Sequence, residues 1–140
     1  MKKTITSSVA IIISLVFILC LASCTSDLEK VWEDATYKED ITLGEGAKTA
    51  VVEVKAGDQK VTFTIKTDKD TVGAALLEHG LIAGDQGAYG LYVKTVNGML
   101  ADYDVNQSYW AFYINGEMAM TGVDGTEIVE GAVYTLEYTK

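Results

Sequence analysis

The side chains that could do chemistry are few, and their positions restrict what that chemistry could be. His79 is the only histidine, there is no arginine, and outside the first 23 residues the serines are Ser26 and Ser108. A Ser-His-Asp triad would have to join Ser108 to His79, yet no Gly-x-Ser-x-Gly turn surrounds Ser108. His79 follows the apolar-periodic positions Val72, Ala75 and Leu76 and precedes Gly80. That is the place where a helix ends, so a structural imidazole is expected there. No GxxxxGK[ST] or GxGxxG loop offers a cradle for phosphates. What remains is carboxylate chemistry, and one stretch stands out. Asp102, Asp104 and Asn106 place oxygen side chains at alternate positions, as in the first half of a calcium loop. Gln107 stands where the sharp turn wants glycine, and Tyr113 where a bidentate carboxylate belongs. These three residues are read either as a weak Ca2+ site or as a solvated polar loop between strands. No catalytic constellation emerges, and the expectation is that the chain is not an enzyme.

The two cysteines carry a different message. Lys2 and Lys3 precede an uncharged run from Val9 to Ala22 that leads into Leu21-Ala22-Ser23-Cys24. A basic start, a short apolar stretch and a small-residue cut site describe a secretory signal peptide, and the run is shorter than the ~20 apolar residues that cross a bilayer. Leu-Ala-Ser-Cys resembles a bacterial lipobox. The resemblance implies cleavage before Cys24, diacylglycerol on its thiol, and a lipoprotein at the extracytoplasmic face of the cell membrane. Cys20 would leave with the leader, so neither a disulfide nor a cysteine zinc site is expected. The leader also takes Lys2 and Lys3. Nine lysines then face 20 acidic residues, and the net charge moves from −9 to −11. Such a chain lacks the basic footprint that nucleic acids or anionic head groups require. Membrane attachment would therefore run through Cys24 alone.

The elements that must position any site can be read from periodicity. Residues 1–23 are assigned to the signal peptide, 24–48 to an acidic tether, and 49–140 to one domain. Val31, Trp32 and Tyr37 give the tether an alternative, docking on the domain. Ala50 to Ala56 and Val61 to Thr67 alternate on either side of Gly57-Asp58-Gln59-Lys60 and form a hairpin with one buried face. Asp68 to Thr71 supply N-caps for a helix from Val72 to His79, closed by Gly80. A glycine-rich loop, Gly84 to Gly87, leads to a strand from Gly90 to Val96. Asn97-Gly98 and Asn115-Gly116 are tight-turn signals, the second following the strand Tyr109 to Ile114 and returning through Glu117 to Met120. Tyr134, Leu136 and Tyr138 alternate in a last strand. The order makes an α+β domain, a β-grasp-like mixed sheet with one covering helix.

Five segments carry a family resemblance: Thr71 to Leu76, Gly90 to Gly98, Tyr109-Trp110-Ala111-Phe112-Tyr113, Gly122-Val123, and Glu127 to Gly131. Together they resemble the transcobalamin C-terminal-like domain of bacterial surface lipoproteins, a family of unknown function. That domain is similar to the C-terminal β-domain of the vitamin B12 carriers transcobalamin and intrinsic factor. The resemblance spans roughly Ala50 to Lys140 and implies a β-grasp that binds a soluble ligand, with cobalamin as the family's example. In the carriers the Tyr-Trp strand and the following hairpin face the corrin, which points here to Tyr109, Trp110, Met118 and Met120. The carriers also grip their ligand with a helical barrel, which has no counterpart in these 140 residues.

The residues themselves divide that list. Trp110, Phe112 and Ile114 share one strand face and Tyr109, Ala111 and Tyr113 the other. The first set is the more apolar and is the candidate for the core. Tyr109 and Tyr113, with a polar tip on an apolar ring, suit an outward ligand contact. The expected ligand site is thus Tyr109, Trp110, Tyr113, Met118 and Met120, binding a small molecule such as a corrinoid. The alternatives are Ca2+ at Asp102, Asp104 and Asn106, or a face that binds a surface protein.

Overall fold

The alternation over residues 48–67 becomes a long hairpin in the computed structural model, which describes residues 27–140. The expected signal peptide and the expected anchor Cys24 lie outside the described residues. Strands β2 (Lys48–Ala56) and β3 (Gln59–Thr67) pair antiparallel along their full length. Ala50, Val52, Val54, Val61, Phe63 and Ile65 are buried on one face, while Glu53, Lys55, Thr62 and Thr64 lie half-buried on the other. Thr71 caps helix α2 (Val72–Glu78), its Oγ1 accepting from the Ala74 N–H at 3.2 Å, and Gly80 at φ 64° ends it. Val72, Ala75 and Leu76 are the buried stripe that α2 turns into the core.

β9 (Val133–Thr139) then lies parallel to β2 and antiparallel to β7 (Tyr109–Ile114). Two edge strands complete the sheet, β1 (Ile41–Leu43) and β8 (Glu117–Met118), in the order β1-β3-β2-β9-β7-β8. A parallel pair needs a long crossover, and α2 with the segments after it supplies one between β3 and β9. The register aligns Trp110 with Tyr138, Phe112 with Leu136 and Ile114 with Tyr134. The expected apolar face of β7 is therefore continuous with the core face of the hairpin. The α+β class holds.

The mixed sheet holds as well, and a second sheet lies beside it. β4 (Ile82–Gly87), β5 (Gly90–Val96) and β6 (Met99–Leu100) form a separate three-stranded sheet. Gly84 pairs with Val93 and Ala83 with Thr95, leaving Lys94 as the extra residue of a β-bulge. The bulge resets the alternation, so that Leu91 and Val93 before it and Val96 after it all pack toward the core. Gly84 makes the close approach feasible, because a Cβ there would lie 1.9 Å from the Tyr92 carbonyl oxygen. The glycine-rich segment Gly84–Gly87, expected to be a loop, is thus strand.

The segment 27–48 was open between tether and docked element, and it is docked. Helix α1 (Asp27–Glu33) and β1 lie against the domain, with Leu28, Val31, Trp32, Tyr37, Ile41 and Leu43 packed on the core and Ala35 buried within it. β1 adds parallel to β3. Asn97 clasps the strap between them: its Oδ1 accepts from the Tyr37 N–H at 2.9 Å and its Nδ2 donates to the Tyr37 carbonyl at 2.8 Å. Its own carbonyl accepts from the Thr36 N–H at 2.8 Å. Among the described residues no helix is long and apolar enough to cross a membrane.

Candidate functional site

A groove opens where β7 turns into β8. Asn115 and Gly116 take φ values of 50° and 81°, the mirror-image turn that Asn-Gly favours. β8 is short, ending at Met118, and residues 119–132 return to β9 as a long loop containing a 3-10 turn at Val123–Gly125. Such a loop needs internal partners to hold a shape, and here they are explicit. Val72 N–H donates to the Thr126 carbonyl and Ile128 N–H to the Asp70 carbonyl, both at 2.9 Å, which ties the loop to the start of α2. Gly73 permits this contact, since a Cβ there would come within 2.8 Å of the Asp124 nitrogen. The Tyr134 hydroxyl accepts from the Val129 N–H at 2.8 Å and donates to the Glu127 carbonyl at 3.0 Å. Thr126 Oγ1 donates to the Gly122 carbonyl at 2.8 Å and lies 3.0 Å from Thr121 Oγ1.

The result is a preformed groove of about 520 Å³, within the usual range for small-molecule sites. Ile114, Val129, Ala132 and Tyr134 provide its apolar walls, and Asn115, Thr121, Thr126 and Glu127 its polar groups. Phe112 stacks on Tyr134 from the core at 6.3 Å, so this wall is rigid. Sequence reasoning missed most of these residues. The available signal was the length of the segment between Met118 and Val133, since loops of that size inside a domain are commonly functional.

The five ligand residues expected from the sequence do not converge. Trp110 is a correction: it is 8% exposed on the core face, stacked edge-on against Tyr138, with Nε1 donating to the Lys94 carbonyl at 3.0 Å. Tyr113 pairs with Met118 on the opposite, open face, over a hollow of about 220 Å³ shared with Lys55, Thr135 and Glu137. Tyr109 lies on that same face at the far end of β7, about 13 Å away along the strand. Met120 is fully solvent-exposed and immediately precedes Thr121 of the groove. The turn of the hairpin borders both hollows, with Asn115 on the groove and Gly116 on the smaller one.

The candidate calcium loop is a one-turn helix, α3 (Tyr103–Asn106), rather than an irregular loop. Asp102 is its N-cap, Oδ1 accepting from the Asp104 N–H at 3.0 Å. Asn106 Oδ1 accepts from both the backbone and the hydroxyl of Ser108. Ser108 Oγ also accepts from the Asp102 N–H at 3.1 Å and is fully buried, so this serine locks the turn. A cation already sits nearby. Lys94 Nζ pairs with Asp85 at 2.8 Å, and its pKa is raised, first by that hydrogen bond and charge and further by Asp102 and Asp104. The turn itself therefore engages Asp102 Oδ1 and Asn106 Oδ1, and the Lys94 ammonium lies within electrostatic reach of both aspartates, which competes with a calcium ion there. Among the described residues no group of three or more His, Cys, Asp or Glu is arranged to hold a metal.

Residues 69–140, half of the sequence, match the domain of unknown function DUF4430. The chain belongs to the DUF4430 family. This DUF4430 chain is also similar to a crystal structure described as a "putative metal binding protein" from Ruminococcus gnavus ATCC 29149. The two are 33% identical with a TM-score of 0.63, over 67% of this chain and 98% of that one. A second similar structure is haptocorrin in complex with Cbi, at 13% identity and a TM-score of 0.54, over 70% of this chain and 26% of that chain. The DUF4430 chain thus spans about a quarter of haptocorrin, and at that identity the likeness is one of fold. No match was found among curated proteins.

Proposed function

We propose that this DUF4430 chain is an extracytoplasmic, lipid-anchored binding module that captures a soluble small molecule, with a corrinoid as the ligand class. The observation that carries the reading is the groove beside the β7–β8 hairpin. It has small-molecule volume, apolar walls and a loop held in place by its own hydrogen bonds, so binding would cost little reordering of the protein. The resemblance to the B12 carriers and the fold shared with haptocorrin in complex with Cbi support the ligand class. The Leu-Ala-Ser-Cys sequence before the described residues supports the anchor.

The reading is a binder rather than an enzyme. Ser108 is buried within its turn, and His79 caps α2 with Nε2 enclosed and without a hydrogen-bond partner. No hydrogen bond joins the two, and the carboxylate beside His79 is that of its neighbour Glu78, 3.9 Å from Nε2.

The test is a thermal-shift titration of the chain beginning at Cys24. A corrinoid at a hundredfold excess over its dissociation constant should stabilise the fold by about 2.7 kcal/mol. Thr121→Trp, which fills the groove from an exposed position, should remove the shift and, through loss of the Thr121–Thr126 hydroxyl contact, lower unliganded stability by no more than about 1 kcal/mol. Absence of any shift with corrinoids refutes the ligand class. A shift that survives Thr121→Trp refutes the site.

A metal reading has one specific support, the description of the Ruminococcus gnavus relative. For this chain the capped loop argues against it, and Ca2+ at millimolar concentration should leave the melting temperature unchanged. A calcium shift abolished by Asp102→Ala with Asp104→Ala would reinstate it.

A further inference from the structure

The charge of the groove is one-sided. Of its lining residues none is basic, and Glu127 is the single ionisable group apart from the buried Tyr134 phenol. The Tyr134 hydroxyl is already used twice by the loop backbone, and the two threonine hydroxyls bond each other. Asn115 Oδ1 is occupied by the Val133 N–H at 2.9 Å. Two functions are left over among the described residues: the Asn115 amide N–H groups as donors and the Glu127 carboxylate as an acceptor. That carboxylate has neither a salt bridge nor a hydrogen bond. The other two acids of the loop are engaged, Glu130 accepting from the Thr49 N–H at 2.7 Å and Asp124 from the Leu91 N–H at 2.9 Å. The protein as a whole is acidic, with net charge −9 and no arginine, so its net field disfavours anions.

We propose that the groove selects ligands carrying a positive charge beside a flat apolar surface, and that Glu127 sets this preference. The apolar walls supply affinity without sign. The carboxylate supplies a charge-assisted hydrogen bond to an ammonium, amidinium or other cationic N–H donor. A carboxylate or phosphate would meet Glu127 without any basic residue to offset it. This inference rests on the reading of the groove as a small-molecule site and adds the class of molecule to it.

The test compares two environment-sensitive dyes of similar size, cationic auramine O and anionic anilinonaphthalene sulfonate, by fluorescence titration at low salt. The cationic dye should bind about tenfold more tightly, the effect of one partly exposed charged hydrogen bond. Glu127→Gln should bring the ratio close to one with an unchanged melting temperature, and added salt should shrink it in the wild type. Thr121→Trp should abolish binding of both dyes. Equal binding of the two dyes, both lost in Thr121→Trp, would overturn the charge preference while leaving the groove as a site. So would a cationic preference indifferent to Glu127→Gln. Binding that Thr121→Trp does not affect, or no binding of either dye, would overturn the site and the preference together.

Discussion

The indole Nε1 of Trp110 donates to the backbone carbonyl of Lys94 at 3.0 Å, and this bond joins the two sheets. Lys94 is the bulged residue of β5, and the same carbonyl accepts from the Ala101 N–H at 2.8 Å. A carbonyl oxygen has two lone pairs, and Trp110 takes the one that Ala101 leaves, which gives the buried indole N–H its partner while the ring packs edge-on to Tyr138. The residue that stood out as a ligand contact is a strut.

Trp110→Phe should keep most of the packing and lose the hydrogen bond, lowering stability by about 1–2 kcal/mol. Trp110→Ala should cost about 3–5 kcal/mol through the cavity it leaves. Urea unfolding with an unchanged m-value is the measurement. A Trp110→Ala variant as stable as the wild type would remove the strut from the account.

The Asn97 clasp on Tyr37 predicts a local opening. Asn97 is 1% exposed and adopts φ 50°, so Asn97→Ala loses two buried hydrogen bonds and a tolerated left-handed residue, about 2–3 kcal/mol together. Proteolysis between Ala35 and Asp40 should accelerate, while hydrogen exchange of β7 and β9 amides should change little. Uniform loss of protection across the sheet would show that the strap and the sheet form one cooperative unit instead.

The Lys94–Asp85 pair predicts a pH dependence at the alkaline end. The pKa of Lys94 is raised, chiefly by the hydrogen bond and charge of Asp85. A raised pKa means the native state holds its proton more tightly than the unfolded chain. The associated stability is complete below the ordinary lysine value of about 10.4 and is lost as pH rises through the elevated folded value. NMR titration of the Lys94 side chain should therefore give a midpoint above that of the free side chain. Asp85→Asn should bring it most of the way back, with Asp102 and Asp104 holding a small remainder. An ordinary midpoint in the wild type would contradict the pairing.

With the lipid anchor proposed at Cys24, the docked strap predicts an orientation for the chain. α1 begins at Asp27, only three residues after Cys24, and Asp27 Oδ2 pairs with Lys140 Nζ at 3.6 Å. β9 runs from the groove at Val133 toward Lys140, about 23 Å along the strand. The groove should then face away from the membrane. Single cysteines placed at Glu117 and at Lys140, dye-labelled on vesicle-bound protein, should differ under a lipid-borne quencher, with only the Lys140 label quenched. Equal quenching would mean that residues 24–48 act as a free tether after all.

What the sequence determined by itself is local in origin. Alternation over 50–56 and 61–67, the Thr71 cap before an apolar stripe, and the two Asn-Gly turns each depend on a few neighbouring residues, and each appears where its chemistry put it. Tertiary structure decided the rest. The bulge at Lys94 exists because Gly84 lets two strands approach, and the role of Trp110 depends on that bulge sixteen residues earlier. Docking of the strap depends on Asn97, sixty residues beyond Tyr37. The groove is shaped by Tyr134 and by backbone groups at Asp70 and Val72 that reach a loop more than fifty residues away. Periodicity carries no signal for such pairings. Each is a hydrogen bond whose partner is fixed only once the chain has folded back on itself.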